Sequence, residues 1–434
     1  MKQKLQSNAL NPADRPIHDW YRFVLSFPPH LVRDYLTDFA VKPGQIVLDP
    51  FCGTGTTMVE CKKLGIASVG VEANPLASFV SAVKLDWSPD PMGLIQHATV
   101  LASAVRQHLE RDGLDEDRLF DADQAAAFVA QASDLRALPP DTHNILLTNA
   151  ISPIPMHKVL TLLHAIQSEL DNPFRRHAEL ALLTAAVRSF SNLHFAPEVG
   201  IGRIKPDVRV VDVWLDHVRQ MAFDLMSYGD LDSIPTTLYG LDARQLTGIA
   251  PGSIDAVITS PPYPNEKDYT RTTRLESALM GFITDRASLR ALKHRLLRSN
   301  TRNVYVHDDD DQWVRDLPHI IDLADSIEAR RIALGKTSGF ERLYGRVTKL
   351  YFGGMARHLA SLRPLLKSGA LLAYVVGDQA SYLQIMIHTG ALLADIATHL
   401  GYDVVRIDLF RTRLATATKA QLREEVVILR WKGH

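Results

Sequence analysis

Residues 46–72 constrain the fold of this chain more tightly than any other stretch. Ile46-Val47-Leu48 is a short apolar run of the kind that fills a buried strand. It enters a glycine-rich loop, Asp49-Pro50-Phe51-Cys52-Gly53-Thr54-Gly55-Thr56-Thr57, and TMVECKKLG after it reads as a helix. ASVGVEAN reads as the next strand and carries Glu72 at its end, 17 residues after Gly55. Strand, glycine loop, helix and strand in this order open a parallel α/β sheet, whose ligands bind at the carboxyl ends of the strands. Just upstream, residues 29–40 read as a helix with Leu31, Tyr35 and Phe39 on one face, closed by a KPGQ turn.

The loop narrows the ligand. Gly53 and Gly55 let the backbone approach a bound molecule. Met58 stands where a dinucleotide fingerprint has its third glycine, and no Gly-Lys-Ser/Thr follows, so this is not a phosphate loop. A carboxylate at Glu72 can accept both hydroxyls of a ribose. A ligand with a ribose and an amino-acid tail but no phosphates fits these parts, which points to S-adenosylmethionine. A bare tight turn would not require Asp49, Phe51 and Glu72 together.

A second loop, Ser260-Pro261-Pro262-Tyr263, follows the apolar strand 255–258. Two prolines fix φ and stiffen the loop, and Pro261 removes a backbone donor. What remains is a set of acceptors that can hold an –NH2 group by its hydrogens, beside a tyrosine able to stack on a flat heterocycle. An amine conjugated to a base ring is a poor nucleophile. Hydrogen bonds to Ser260 and the Pro261 carbonyl would push its nitrogen toward tetrahedral geometry and aim the lone pair at a sulfonium methyl. The site then works by position and electrostatics, with the base first extruded from the helix.

At these two loops the chain resembles the amino-methyltransferases of DNA, which make N4-methylcytosine or N6-methyladenine. VLDPFCGTGTT resembles their cofactor motif and TSPPY their catalytic motif, the serine being closer to the N4-cytosine branch. Phe27-Pro28-Pro29 is similar to the motif covering the cofactor's methionine end, and Glu72-Ala73-Asn74-Pro75 to the one after the second strand. Gly240-Leu241-Asp242-Ala243 is similar to a third, in which Asp242 would contact the cofactor's adenine amine. The resemblance covers roughly 20–87 and 236–434. It implies a Rossmann-like α/β methyltransferase sheet, mostly parallel, with an antiparallel strand near the C-terminus. Residues 1–87 and 236–434 are then the catalytic domain, and 88–235 an insertion rich in Ala, Leu and His with helix-compatible segments at 95–110, 157–170, 177–193 and 211–228.

The remaining features set partners and exclusions. Residues 265–302 carry nine Lys or Arg against four acids, and 265–345 is the candidate DNA-recognition segment. Lys267, Arg271 and Arg274, directly after the catalytic loop, are candidates for phosphate contacts to double-stranded DNA, with Arg286, Arg290 and Lys293 spaced on one helix face. HDDDD at 307–311 reads as a solvated loop, NLHFAPEVGIGRIKPD as a linker, and 1–18 as a polar arm. With 48 basic and 49 acidic residues, DNA binding must come from a local patch. Cys52 and Cys61 form neither a disulfide framework nor a metal pair, and Cys52 reads as a packed residue and not a C5-type nucleophile. No metal is expected. No signal segment or membrane span is read, so a cytoplasmic protein is expected. The expected activity is site-specific DNA methylation at cytosine N4 in a restriction-modification or defence setting, with a cognate endonuclease as candidate partner. Adenine N6, an RNA base and a catalytically silent cofactor- and DNA-binding regulator are the competing readings. All motifs lie on one chain, so a monomer or a homodimer would serve.

Overall fold

The computed structural model describes residues 10–23, 26–195, 198–265, 267–414 and 421–433. Helix α1 (Pro29–Asp38) precedes β1 (Ile46–Asp49), α2 (Thr56–Lys63), β2 (Ala67–Val71) and α3 (Pro75–Leu85). The chain then runs through α4 (Pro91–Arg111), α5 (Ala122–Gln131), α6 (Pro140–His143), α7 (Pro153–Gln167), α8 (Arg175–Ala185), the hairpin β3 (Leu193–Phe195) and β4 (Val199–Ile201), and α9 (Val211–Tyr228). It returns with β5 (Thr236–Tyr239) and β6 (Ile254–Thr259), then α10 (Tyr269–Thr272), α11 (Arg274–Leu279), α12 (Arg286–His294), α13 (Pro318–Ala333) and α14 (Tyr344–Leu362). Strand β7 (Leu366–Gly377), α15 (Thr389–His399), β8 (Tyr402–Leu414) and β9 (Gln421–Trp431) complete it.

The seven-stranded sheet has the order β5-β2-β1-β6-β7-β9-β8. Pairings from β5 to β7 are parallel, and β9 runs antiparallel to both neighbours. This is the expected mostly parallel α/β sheet with an antiparallel strand near the C-terminus. Its central strands are buried along their length, as an apolar run between two helical layers must be. The chain winds outward from β1 through β2 to β5, and from β6 outward to β7. The strand order therefore reverses between β1 and β6, where a crevice opens at the carboxyl ends.

The stretch 88–235 holds helices α4 to α9, with boundaries shifted from the expected ones. Asp90 caps α4 by accepting from Gly93 N at 2.6 Å, and Pro91 takes the first position, so the helix begins before 95. Pro153 likewise starts α7 early. The segment 192–207, read as a linker, instead carries the β3–β4 hairpin. Helices α4, α7, α8 and α9 share one apolar cluster with Val59 of α2 and Val80 of α3. The chain leaves at Trp87 and returns at Asp232, whose carboxylate accepts from Trp87 N at 3.0 Å and pairs with Lys62 Nζ at 2.8 Å.

Of the segment read as an N-terminal arm, residues 1–9 lie outside the described residues, and the rest is no free arm. Ile17 and His18 are buried. Ile17 N and Trp20 Nε1 each donate to Asp224 at 2.8 Å, and His18 sits 2.8 Å from Glu60. No helix among the described residues is long and apolar enough to cross a membrane.

Candidate active site

A cavity of about 630 Å³ opens at the crevice between β1 and β6. Its walls include Phe27, Pro50, Phe51, Cys52, Gly53, Thr56, Glu72, Ala73, Asn74, Asp242 and Ala243 on one side, and Ser260, Pro261, Pro262, Tyr263 and Lys267 on the other. The two loops singled out in the sequence, about 200 residues apart, thus face one space. Asp49, Gly55 and Thr57 are not in the wall but behind it. Asp49 is fully buried and accepts from Phe51 N at 3.1 Å and Thr259 Oγ1 at 2.6 Å. Thr57 Oγ1 donates to Ile258 O at 3.2 Å. These bonds lace the glycine loop to β6. Burial, working against those hydrogen bonds, lifts Asp49 to about 6.

Gly55 sits at φ +86 ahead of α2, and a Cβ there would lie 2.5 Å from Ser81 Oγ. Gly53, at φ +52, has nothing within 4 Å of its would-be Cβ, so its backbone is open to a ligand. Glu72 accepts from Gly53 N at 2.9 Å and Asn74 N at 2.7 Å, one amide per oxygen. Burial lifts it to about 7; those amides oppose the shift and Asp49 adds to it. Each carboxylate oxygen keeps a second lone pair for a hydroxyl. Phe51 is held edge-on against His358, ring centroids 4.9 Å apart. His358 donates from Nδ1 to Ala243 O at 2.8 Å, and its Nε2 lies 2.7 Å from the Tyr374 hydroxyl. Burial drops this imidazole to about 4, so it is a neutral bridge between the β1 and β5 loops.

Asp242 lines the cavity but is not free. Arg244 binds it through Nε at 3.0 Å and Nη2 at 2.6 Å, and reaches Asp310 at 2.5 Å. Arg357 pairs with the other Asp310 oxygen at 3.1 Å. The HDDDD stretch is therefore not a solvated loop. Asp310 is buried at 3% exposure, and Asp308 takes Arg298 at 2.8 and 2.9 Å. Arginines distant in sequence need these counter-charges, which no local pattern reveals. Among the described residues no group of three His, Cys, Asp or Glu is arranged to hold a metal.

On the second loop Ser260 Oγ donates to Val375 O at 3.1 Å, so its lone pairs are left as acceptors. Tyr263 N donates to Tyr269 Oη at 3.4 Å, and the Tyr263 ring lies 3.0 Å from the would-be Cβ of Gly377. Only glycine at the end of β7 admits the ring there. Burial, reinforced by Glu424, pushes the Tyr263 phenol upward, so it stays neutral. Burial also drives the Cys52 thiol well up, which suits a packed wall residue.

The expected DNA-facing cations divide. Lys267 lines the cavity. Arg271 stands outside the wall, 4.0 Å from Glu198. Arg274 is turned inward, 3.7 Å from Asp268 and 3.2 Å from Thr270 Oγ1, and is committed to the protein. Lys293 shares the α12 face with Arg286 and Arg290 but is held to the protein by Asp268 at 2.8 Å, while Arg286 and Arg290 remain exposed. The sequence reading missed Tyr21, Tyr269, Glu198, Arg413 and Glu424 in the wall. Tyr269 lay within reach, six residues past Tyr263. Adjacent Glu424 and Glu425 at the head of an apolar strand were a second signal, since charge there needs partners.

A family described as DNA methylase matches residues 2–78 of the chain. The Type II methyltransferase M.AvaI of Nostoc sp. is 25% identical over 424 residues, spanning 94% of this chain and 83% of that protein. M.BsoBI of Geobacillus stearothermophilus is 24% identical over 325 residues, 69% of this chain and 59% of the other. M.MjaII of Methanocaldococcus jannaschii is 36% identical over a shorter stretch of 69 residues, 16% of this chain and 13% of the other.

Proposed function

We propose that the chain is a DNA amino-methyltransferase that transfers a methyl group from S-adenosylmethionine to the exocyclic N4 amine of cytosine in duplex DNA, a reading supported by its similarity to Type II methyltransferases. The observation carrying this reading is one cavity bounded by the Gly53–Glu72 cradle and by Ser260-Pro261-Pro262-Tyr263. The serine form of the second loop is the reason to favour cytosine over adenine. We assign 1–87 with 236–434 to the catalytic unit and 88–235 to a helical insertion.

The cradle suits the cofactor. Glu72 would take the ribose hydroxyls, Gly53 would allow close backbone approach, and Phe51 and Asp242 would hold the adenine. Phe27 would cover the methionine end. When bound, the cofactor supplies an electrophilic methyl on a sulfonium. The protein's part is placement. Ser260, its own proton committed to Val375 O, accepts one hydrogen of the target amine, and the Pro261 carbonyl accepts the other. Tyr263, a neutral ring, stacks on the flipped base and offsets part of its unstacking. The amine nitrogen would take the methyl while the cofactor left as a neutral thioether, and the proton released by the methylated amine would pass by way of the Ser260 and Pro261 acceptors to solvent. Lys267 and Arg271 would take backbone phosphates beside the cavity.

Expression in a methylation-free bacterial host, with mass spectrometry of digested genomic DNA, tests the reading. N4-methylcytosine is expected. It should fall about 10²-fold or more in Ser260→Ala and Tyr263→Ala, which remove positioning in the transition state. Cofactor affinity by calorimetry should be kept in both. N6-methyladenine would retain the mechanism and replace the base; unmodified DNA would overturn the assignment.

A further inference from the structure

Hairpin β3–β4 carries the helical region to the mouth of the cavity. Glu198, beside β4, lines the wall with Lys267. Its carboxylate lies 4.0 Å from Arg271 Nη1 and 3.9 Å from Arg302 Nη1. These are ion pairs without close hydrogen bonds, and the Glu198 side chain is still 52% exposed. Arg271 Nε meets no acceptor among the described residues. Burial lowers Arg274, Asp268 opposes that, and Arg271 and Arg302 add to the lowering, a sign of cations crowded together. At Lys267 burial and Arg413 act the same way, with Glu198 in opposition. Cations with unmet donors, bridged by one loosely held carboxylate, form a site for an anion larger than a carboxylate. A phosphodiester offers two free oxygens with the same charge and fits the guanidinium fork.

We propose that Glu198 stands in for a DNA backbone phosphate between Arg271 and Arg302, and that duplex DNA displaces it to seat a phosphate beside the cavity. The inference rests on the DNA-methyltransferase reading. It gives the helical region a part in substrate binding: its hairpin supplies a competing anion that lets go only when phosphate takes its place. If Glu198 stayed, it would repel the incoming strand. Arg302, 3.9 Å from Glu198, completes the site where Arg274 turns inward.

The test uses the full chain and a fluorescently labelled duplex of mixed sequence, since a phosphate site does not depend on bases. Glu198→Gln should bind it roughly two- to five-fold more tightly than the wild type, the range of one released surface ion pair. Arg271→Gln and Arg302→Gln should each weaken binding and lower the log–log salt slope by about 0.9. In the Arg271→Gln/Arg302→Gln background the gain from Glu198→Gln should vanish. Equal or weaker binding by Glu198→Gln, or a gain that persists without the arginines, would overturn the proposal. Wild-type methylation of genomic DNA is scored beside it. Methylation with no Glu198 effect sinks this inference alone; no methylation sinks the reading beneath it.

Discussion

Glu72 holds one backbone amide on each oxygen, while burial lifts it to about 7. Its charged form is the one that accepts ribose hydroxyls. Protonation as pH falls through about 7 should therefore weaken cofactor binding, with affinity dropping about tenfold per unit well below that value. Calorimetry of S-adenosylmethionine binding from pH 8 to 5.5 checks this, and Glu72→Gln should give weak binding and a flat profile. Gly55 carries a different load. Its φ of +86 and the 2.5 Å approach to Ser81 Oγ forbid a side chain. Gly55→Ala should cost about 2 kcal/mol in denaturant unfolding, from left-handed strain before any clash is relieved. These residues were legible because strand, loop and helix place them by local geometry. Arg244 and His358 were not, since their partners Asp310 and Tyr374 lie beyond any periodic signal.

Helix α14 shows how a later element supports a loop ahead of it. Gly353 passes so close to the backbone of Asp310 that a Cβ would sit 1.9 Å from Asp310 O, and at Gly354 a Cβ would sit 2.4 Å from Leu297 Cδ1, with Asp310 and Arg244 just beyond. Their ion chain ends on Asp242 at the cavity wall. Asp310→Asn would leave Arg244 and Arg357 facing a neutral amide in a buried site. It should cost about 3 kcal/mol, read by thermal or denaturant unfolding, and weaken cofactor binding by freeing Asp242. Strands β1, β2 and β6 of the main sheet were readable from apolar runs, and the parallel pairing of β1 with β2 from the glycine loop and helix between them. Hairpin β3–β4 was not readable, because three-residue strands broken by glycine and proline carry no period. Lys293 misled for a related reason: helical spacing told which face it shared, but not that buried Asp268 would draw it in.

The helical region and the sheet region are one packed body through their common apolar cluster, in which Trp20, Val59 and Val80 meet Leu180 and Trp214. Replacing 88–231 by a short linker should therefore bare that surface despite the closeness of Trp87 and Asp232. The shortened chain is expected to be insoluble or degraded, in contrast to the full chain, in expression and limited-proteolysis trials. The clasp at Asp232 is one fixed point. The N-terminal segment supplies another, with Ile17 and Trp20 bonded to Asp224 and Thr184 Oγ1 donating to Trp20 O at 2.6 Å. A body held by a single pin can swing; one held by two pins cannot. The hairpin bearing Glu198 must then yield by flexing its own short strands, like a leaf spring on a rigid mount, while the distance between cofactor cradle and base loop stays fixed.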